Sequence, residues 1–190
     1  LMSTGSAVAW NMPNRLNFLT IVPMFHCNGW GYPWTVPMLN GRTVCLRNID
    51  VKKIFEMIDK HNITHFGGAP IVLNMITGAP ESDKKKLKHK VYVLTAGAPP
   101  PSIIFKKMNE LGFEVMHVYG LTETYGHVTQ CAWNDAWNKF DEEKQNEIKA
   151  RQGVRYPNTE GIAVMNPETM KEVPRDCLLY TSPSPRDTPQ

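Results

Sequence analysis

Residues 91–119 have the sequence VYVLTAGAPPPSIIFKKMNELGFEVMHVY, in which one amphipathic segment lies between two apolar runs. The first run, 91–95, predicts a buried strand. Residues 102–111 predict a helix with its apolar side chains on one side, closed by Gly112, and 113–119 predict a second strand. Because a strand, a helix and a strand follow one another, we expect two parallel strands with the helix packed against them.

The same alternation of strands and helices precedes this stretch. Apolar runs predict the strands, and apolar residues that recur at intervals of three and four behind a capping residue predict the helices. The predicted strands are 18–22, which ends at Pro23, then 43–47 and 63–66. One predicted helix begins after Asp50, and another spans 71–76. The fold class is therefore α/β, a parallel sheet with flanking helices.

The chain changes character towards its C-terminus. Residues 134–151 are polar and predict partly helical structure, and two short apolar runs around Asn166-Pro167 suit a hairpin with a type I turn. We therefore expect three parts. They are an α/β subdomain at 1–160, a β-hairpin at 161–176 that begins a β-rich subdomain, and a disordered, non-native tail at 177–190.

The composition is that of an ordinary globular protein. Apolar residues make up 42% and charged residues 21% of the 190, which excludes a disordered or coiled-coil chain. The net charge of +3 argues against a nucleic-acid-binding protein, and no apolar run is long enough for a membrane span. The four cysteines stand far apart, so we expect free thiols in an intracellular compartment, with cytoplasm, peroxisome and mitochondrion not distinguished.

Some aromatic residues and histidines receive purely structural interpretations. Trp30 and Trp34 stand one helical turn apart, which is more typical of core packing than of ligand contact. His61, His65 and His89 are interpreted as surface or edge residues.

Small, aromatic, hydroxyl and acidic residues follow the predicted strands. They stand at 23–26, 67–70, 97–99 and 119–123. The carboxyl ends of parallel strands meet at one edge of a sheet, where ligands bind. Tyr119 can stack on a flat ring, Thr122 can donate to a phosphate oxygen and Glu123 can bind Mg²⁺, which predicts a nucleoside phosphate site. The alternative is that the small residues form ordinary turns and that Thr122-Glu123 caps a helix.

The exact residue sequences of three of these segments are specific enough to indicate a family. Tyr-Gly-Leu-Thr-Glu-Thr at 119–124, Ala-Gly-Ala-Pro at 96–99 and Pro-Met-Phe-His-Cys-Asn-Gly-Trp at 23–30 resemble motifs of the AMP-forming acyl-CoA synthetases, in the order in which that family has them. The resemblance runs from about Phe18 to Asp176 and is closest to the medium-chain and plant-type acyl-activating enzymes of this adenylate-forming superfamily. It implies that the chain is an internal fragment of the family's N-terminal AMP-binding domain, with 1–160 as its α/β part.

The resemblance implies an ATP-dependent carboxylic acid–CoA ligase for a fatty or other medium-size acid. A carboxylate attacks the α-phosphate of ATP, which gives an acyl-adenylate and pyrophosphate, and the thiol of CoA then displaces AMP. The resemblance implies that Gly97, Ala98 and Pro99 line the adenine pocket and that Tyr119 stacks on adenine, with Gly120 beside it. It implies that Thr122 binds the α-phosphate and that Glu123 holds Mg²⁺. His26 would lie between the acyl pocket and the reacting carboxylate.

The sequence departs from the family's pattern at two positions. Many relatives carry Gln-Gly before the tyrosine, whereas this chain has His117-Val118, so we expect His117 to take over the contact with adenine. Asn28 stands where some aromatic-acid ligases carry a tyrosine, which argues against a phenylpropanoid substrate.

Three further parts of the family pattern have no counterpart in the sequence: the phosphate loop with its lysine, the Thr-Gly-Asp segment that holds the ribose, and the small C-terminal domain. We therefore expect the 190 residues alone to synthesise no acyl-CoA. Two alternatives stay open. One is a non-catalytic nucleotide-binding or interaction module on the same fold, and the other is an adenylate-forming enzyme that uses another acceptor. The sequence does not indicate an oligomeric state.

Overall fold

A mixed sheet of seven strands is the frame of the described part of the chain, residues 1–173 of a computed structural model. Its strands are β1 (Asn17–Thr20), β2 (Arg42–Cys45), β3 (His65–Gly68), β4 (Val91–Thr95), β5 (Phe113–Leu121), β6 (Gly126–Gln130) and β7 (Val154–Arg155). They lie in the order β2-β1-β3-β4-β5-β6-β7. The expected tail at 177–190 lies outside the described residues.

The first five strands are parallel, which confirms the α/β prediction. The last two are antiparallel and were not predicted. They arise because β5 runs two residues further than expected and turns back on itself through residues 122–125 into β6. The sheet is therefore mostly parallel rather than wholly so.

Helices cover both faces of the sheet. They are α1 (Met2–Ala9), α2 (Cys27–Trp30), α3 (Tyr32–Met38), α4 (Val51–His61), α5 (Pro70–Gly78), α6 (Ser102–Glu110) and α7 (Glu142–Lys149), with 3₁₀ turns at Glu81–Asp83 and Asp135–Lys139. The helix predicted after Asp50 is confirmed, and the carboxylate of Asp50 accepts a hydrogen bond from the backbone N–H of Lys53 at 3.0 Å. No helix among the described residues is both long and apolar enough to cross a membrane.

The first face of the sheet carries a purely apolar layer. Here α4, α5 and α6 bury Phe55, Leu73 and Met108 against Phe66 and Phe113. Because helices cover this face and the other, the central strands β3 and β4 are almost continuously buried instead of alternating, as is usual in parallel sheets.

The second face carries an aromatic layer under α1 and α3. Trp10, Phe18, Tyr32 and Tyr156 are buried here, and the rings of Phe18 and Tyr32 lie 4.5 Å apart between centroids. This layer reaches the carboxyl edge of the sheet, so aromatic side chains are among those that support the predicted ligand site.

A second unit begins at Thr159. Met165 and Glu172 form an antiparallel bridge, and the side chain of Asn166 accepts hydrogen bonds from the backbone N–H groups of Glu168 and Thr169, each at 2.9 Å. The turn at 166–169 is thus closed by its own asparagine. That this unit begins a further subdomain stays a prediction.

Candidate functional site

The predicted site residues follow three strands of the parallel part of the sheet, of which β4 and β5 are neighbours and β1 is separated from β4 by β3. The segment 23–26 follows β1, 97–99 follows β4, and 119–123 ends β5, so all three lie at the same carboxyl edge. Gly97, Ala98 and Pro99 are exposed. The backbone of Gly97 has φ 103°, which requires glycine, and a Cβ placed there would meet no atom within 4 Å. There is open space beside this loop for a flat ring.

Thr122 and Glu123 lie at the tip of the hairpin between β5 and β6. The hydroxyl of Thr124 holds this turn, because it accepts from the backbone N–H of Leu121 at 3.0 Å and donates to the carbonyl of Gly126 at 2.8 Å. Both tip side chains are exposed and point to no internal partner among the described residues. The alternative that Thr122-Glu123 caps a helix is wrong, because β6 follows the turn.

Gly120 has a structural reason to be glycine as well as a predicted ligand contact. A Cβ at this position would overlap the carbonyl group of Gly126 across the hairpin. The strand pairing also shifts register between Tyr119 and Gly120. Such a bulge changes the direction of the side chains around it. Here it lies beside Tyr119, whose side chain is half-buried at the edge of the site.

The loop that carries His26 has an unusual backbone. Directly after His26, the residues of α2 take left-handed conformations, with φ 42° at Cys27, 45° at Asn28 and 58° at Trp30. A left-handed conformation costs about 1–2 kcal/mol for each residue that has a Cβ. The fold must therefore hold this loop in place through other contacts.

Trp30 is one of those contacts. Its indole is buried against the backbone of Gly67 on β3 and meets the ring of His127 edge-on, with 5.3 Å between centroids. The prediction that Trp30 belongs to the core is confirmed. The same prediction for Trp34 is wrong, since that side chain is 51% exposed on the outer side of α3.

A hydrogen bond joins the loop to the hairpin tip. The side-chain amide of Asn28 donates to the hydroxyl of Tyr125 at 3.0 Å. The pKa of the Cys27 thiol is raised, first by partial burial and then by the negative charge of Glu123. The loop after His26 and the turn with Glu123 therefore share one electrostatic environment, so the structure brings these two predicted parts together.

His117 is not at the open edge. It is 2% exposed, and its Nδ1 lies 2.8 Å from the carbonyl oxygen of Ala150 and 3.1 Å from that of Arg151. Burial lowers the pKa of His117, and the two carbonyls partly oppose this. Because both carbonyl oxygens can only accept, Nδ1 is the donor in these contacts. Its position ties β5 to the end of α7, and its contact with adenine stays a prediction.

Two histidines that received no site role prove to be deeply buried. The interpretation of His65 as a surface or edge residue is wrong, because its ring is stacked on Tyr92 with 5.1 Å between centroids, and burial lowers its pKa to about 4. His127 lies among Trp30, Tyr32 and Tyr156, and neither of its ring nitrogens has a hydrogen-bond partner within residues 1–173. Burial lowers the pKa of His127 to about 3.

A magnesium ion at this edge would rely on very few protein ligands. No three His, Cys, Asp or Glu side chains of the described residues cluster as a metal site. Glu123 is an exposed carboxylate beside the predicted phosphate position. This fits Mg²⁺, which is usually held by one or two carboxylates together with phosphate oxygens of the substrate.

The sequence matches the family described as "AMP-binding enzyme" over residues 1–178. The chain belongs to this family. Among curated relatives, it is 46% identical over 178 residues to the peroxisomal acetate/butyrate–CoA ligase AAE7 of Arabidopsis thaliana and 47% identical over 178 residues to the acetate–CoA ligase CCL3 of Humulus lupulus. Each match covers 93% of this chain but 31% of the relative, so the chain spans about a third of their length.

Solved structures show the same fold. The N-terminal domain of FACL13 from Mycobacterium tuberculosis has a TM-score of 0.66 at 25% identity, and the match covers 73% of this chain and 35% of the FACL13 chain. An ATP-bound RpMatB–BxBclM chimera has a TM-score of 0.71 at 20% identity, over 92% of this chain and 32% of its own. The latter likeness concerns the fold alone.

Proposed function

We propose that this chain forms the nucleotide-binding part of an AMP-forming carboxylic acid–CoA ligase that acts on a short acid. The observation that carries the proposal is the meeting, at one edge of the sheet, of the loop at 97–99, the hairpin tip at 122–123 and the loop after His26. Nucleoside, phosphate and acid would then lie side by side. The curated relatives are named as ligases of this kind, which supports the reaction class.

The chemistry is an adenylyl transfer to the acid, followed by an acyl transfer to CoA. The carboxylate oxygen of the acid forms a bond to the α-phosphorus of ATP while the bond to pyrophosphate breaks. The sulfur of CoA then bonds to the acyl carbon and loses its proton to solvent, while the bond from that carbon to the adenylate oxygen breaks and AMP leaves with its electrons. Negative charge grows on the phosphate oxygens in the first step, and donors fixed at that point lower the barrier.

Each segment at the edge has a place in this scheme. Adenine lies in the open space beside Gly97 and stacks on Tyr119. The hydroxyl of Thr122 donates to the α-phosphate. Glu123 would hold Mg²⁺, which when bound offsets the negative charge of the phosphates. His26 faces the acid at the other end of the site and orients its carboxylate.

The packing behind the loop favours a short acid over a long one. Trp30, Tyr32 and His127 fill the space between the loop and the second face of the sheet. A long acyl chain would have to displace these rings. Relatives named for acetate, butyrate and 2-methylpropanoate agree with this size. Relatives named as peroxisomal support the peroxisome among the compartments that the sequence leaves open.

A chimeric enzyme tests the proposal. Residues 1–178 would replace the matching third of the Arabidopsis acetate/butyrate–CoA ligase, and pyrophosphate release and acyl-CoA would be measured with acids of increasing chain length. We expect activity with acids of about two to five carbons and a sharp fall beyond. A chimera that folds and binds ATP but activates none of the acids would contradict the proposal and favour a non-catalytic nucleotide-binding module.

A further inference from the structure

The turn after His26 is left-handed along its whole length. Positive φ angles run without interruption from Cys27 through Asn28, Gly29 and Trp30 to Gly31, between 42° and 77°. Three of these five residues carry side chains that make this conformation costly. Strained backbone persists only where surrounding contacts hold it, and it is common at functional sites.

Two of the side chains of the strained turn make contacts that differ in kind. Trp30 is buried in the aromatic layer of the second face, so it anchors the turn to the core. Asn28 is exposed, and its amide donates to the hydroxyl of Tyr125, 97 residues further along the chain, at 3.0 Å. Tyr125 is also left-handed, with φ 55°, and its side chain is half-exposed. A hydrogen bond between two strained, exposed residues contributes little to the core.

This bond lies between the two ends of the proposed site. Asn28 is two residues after His26, and Tyr125 is two residues after Glu123 and three after Thr122. The negative charge of Glu123 reaches Cys27, which places the two segments close together in space. The contact between Asn28 and Tyr125 therefore joins the segment that faces the acid to the segment that faces the phosphate.

We infer that the hydrogen bond between Asn28 and Tyr125 is a positioning contact that sets the separation of His26 from Thr122 and Glu123, so that one acyl-adenylate touches both segments. The inference rests on the proposed function. A ligand that occupies only the nucleotide end does not depend on this separation. A ligand with both acyl and adenylate parts does, because it must contact both segments at once.

Three variants of the chain separate this role from a general effect on stability. Tyr125→Phe removes only the hydroxyl that accepts the bond. Asn28→Gly removes the donor and relieves the left-handed strain, since glycine adopts that conformation freely. Tyr92→Phe is the matched control, because it removes a hydroxyl from a partly exposed tyrosine of β4 that has no hydrogen-bond partner among the described residues.

The measurement is the affinity of each variant for AMP and for 5′-O-(N-butyrylsulfamoyl)adenosine, a stable analogue of an acyl-adenylate. We expect Tyr125→Phe and Asn28→Gly each to weaken binding of the analogue by about three- to tenfold, the range for one hydrogen bond, and to leave AMP binding unchanged. The double variant should be no weaker than either single one. Tyr92→Phe should bind both ligands like the wild-type chain.

Hydrogen exchange of the free chain gives a readout without any ligand. The N–H groups of Gly29 and Gly31 bond to the carbonyls of His26 and Asn28 within the turn, and we expect faster exchange at both in Tyr125→Phe but not in Tyr92→Phe. Equal losses for AMP and the analogue, or unchanged exchange and binding in the two site variants, would overturn the inference alone. A wild-type chain that binds neither ligand would overturn the proposed function and this inference with it.

Discussion

Two phenylalanines show how differently the two parts of this molecule are built. Phe66, on the first face, is 0% exposed and meets Phe113 edge-on with 5.9 Å between ring centroids. Phe25, beside His26 at the carboxyl edge, is 86% exposed. The first face has regular helices and purely apolar packing, whereas the edge has left-handed backbone and exposed polar tips. The comparison indicates that the first face supplies stability and that the edge is shaped for a ligand.

The same substitution at the two phenylalanines gives the largest contrast. Phe66→Ala empties a fully buried site and should lower the free energy of unfolding by about 3–5 kcal/mol. Phe25→Ala should change it by less than about 0.5 kcal/mol, as is usual for exposed positions. Urea unfolding of both variants measures the difference. A loss for Phe25→Ala as large as that for Phe66→Ala would break the comparison.

A charge at the edge should matter for rate and not for stability. Glu123→Gln keeps the size of an exposed side chain but removes its charge, so we expect the adenylation rate of the chimera to fall about 10²–10³-fold. The melting temperature should stay the same because the side chain has no internal partner among the described residues. Pyrophosphate release is the measurement, and Glu143→Gln, an exposed carboxylate on α7, is the control. Full turnover in Glu123→Gln would remove this residue from the proposed site.

Low pH should destabilise the folded chain through two histidines that are buried at the second face of the sheet. His127 and His65 have folded-state pKa values of about 3 and about 4, below the 6.5 of an exposed histidine. At pH values between the folded-state pKa and 6.5, the unfolded chain binds more protons than the folded chain, so the free energy of unfolding falls as the pH falls. The two residues together should cost about 3 kcal/mol of unfolding free energy between pH 6.5 and pH 5.

The pH dependence can be assigned to one residue. His127→Leu removes a buried polar ring that has no hydrogen-bond partner within residues 1–173. It should therefore lower the number of protons that the chain takes up on unfolding by about one. Urea unfolding at several pH values, with His65→Leu as a parallel variant, gives the proton count. A stability that does not change between pH 6.5 and pH 5 would mean that these rings are not held neutral in the folded chain.

A smaller effect is expected from the adenine contact. Tyr119→Ala should weaken ATP binding by about 1–3 kcal/mol, the contribution of one stacked base. It should leave the order of preference among acids unchanged, because the proposed position of the acid is at the other end of the site. Titration of the chain with ATP and competition among acids in the chimera measure the two effects. Unchanged ATP affinity would place adenine elsewhere.

The parallel sheet was predictable from the sequence because its strands are short apolar runs between one-sided helices, as in 91–119. The antiparallel strands were not, because β6 reads Gly-His-Val-Thr-Gln and the turn before it lacks the Asn-Gly or Asp-Gly pair that usually announces a hairpin. The helix α3 was missed for a similar reason, since it contains Pro33 and Pro37 and lacks clear periodicity.

The site was predictable as a set of residues but not as an arrangement. Motifs at 23–30, 96–99 and 119–124 indicated which side chains to examine. The burial of His117 depends on the end of α7, and the bond between Asn28 and Tyr125 joins residues 97 positions apart. Both result from tertiary packing, which no local pattern encodes.

In the proposed function, the loop after His26, the loop at 97–99 and the hairpin tip at 122–123 form one site for an acyl-adenylate. The most direct test is a map of backbone chemical-shift changes when the chain binds 5′-O-(N-butyrylsulfamoyl)adenosine. We expect the chemical-shift changes to concentrate in these three segments and the first-face helices α4 and α5 to show none. Binding with changes confined to those helices, or to the amino ends of the strands, would contradict it.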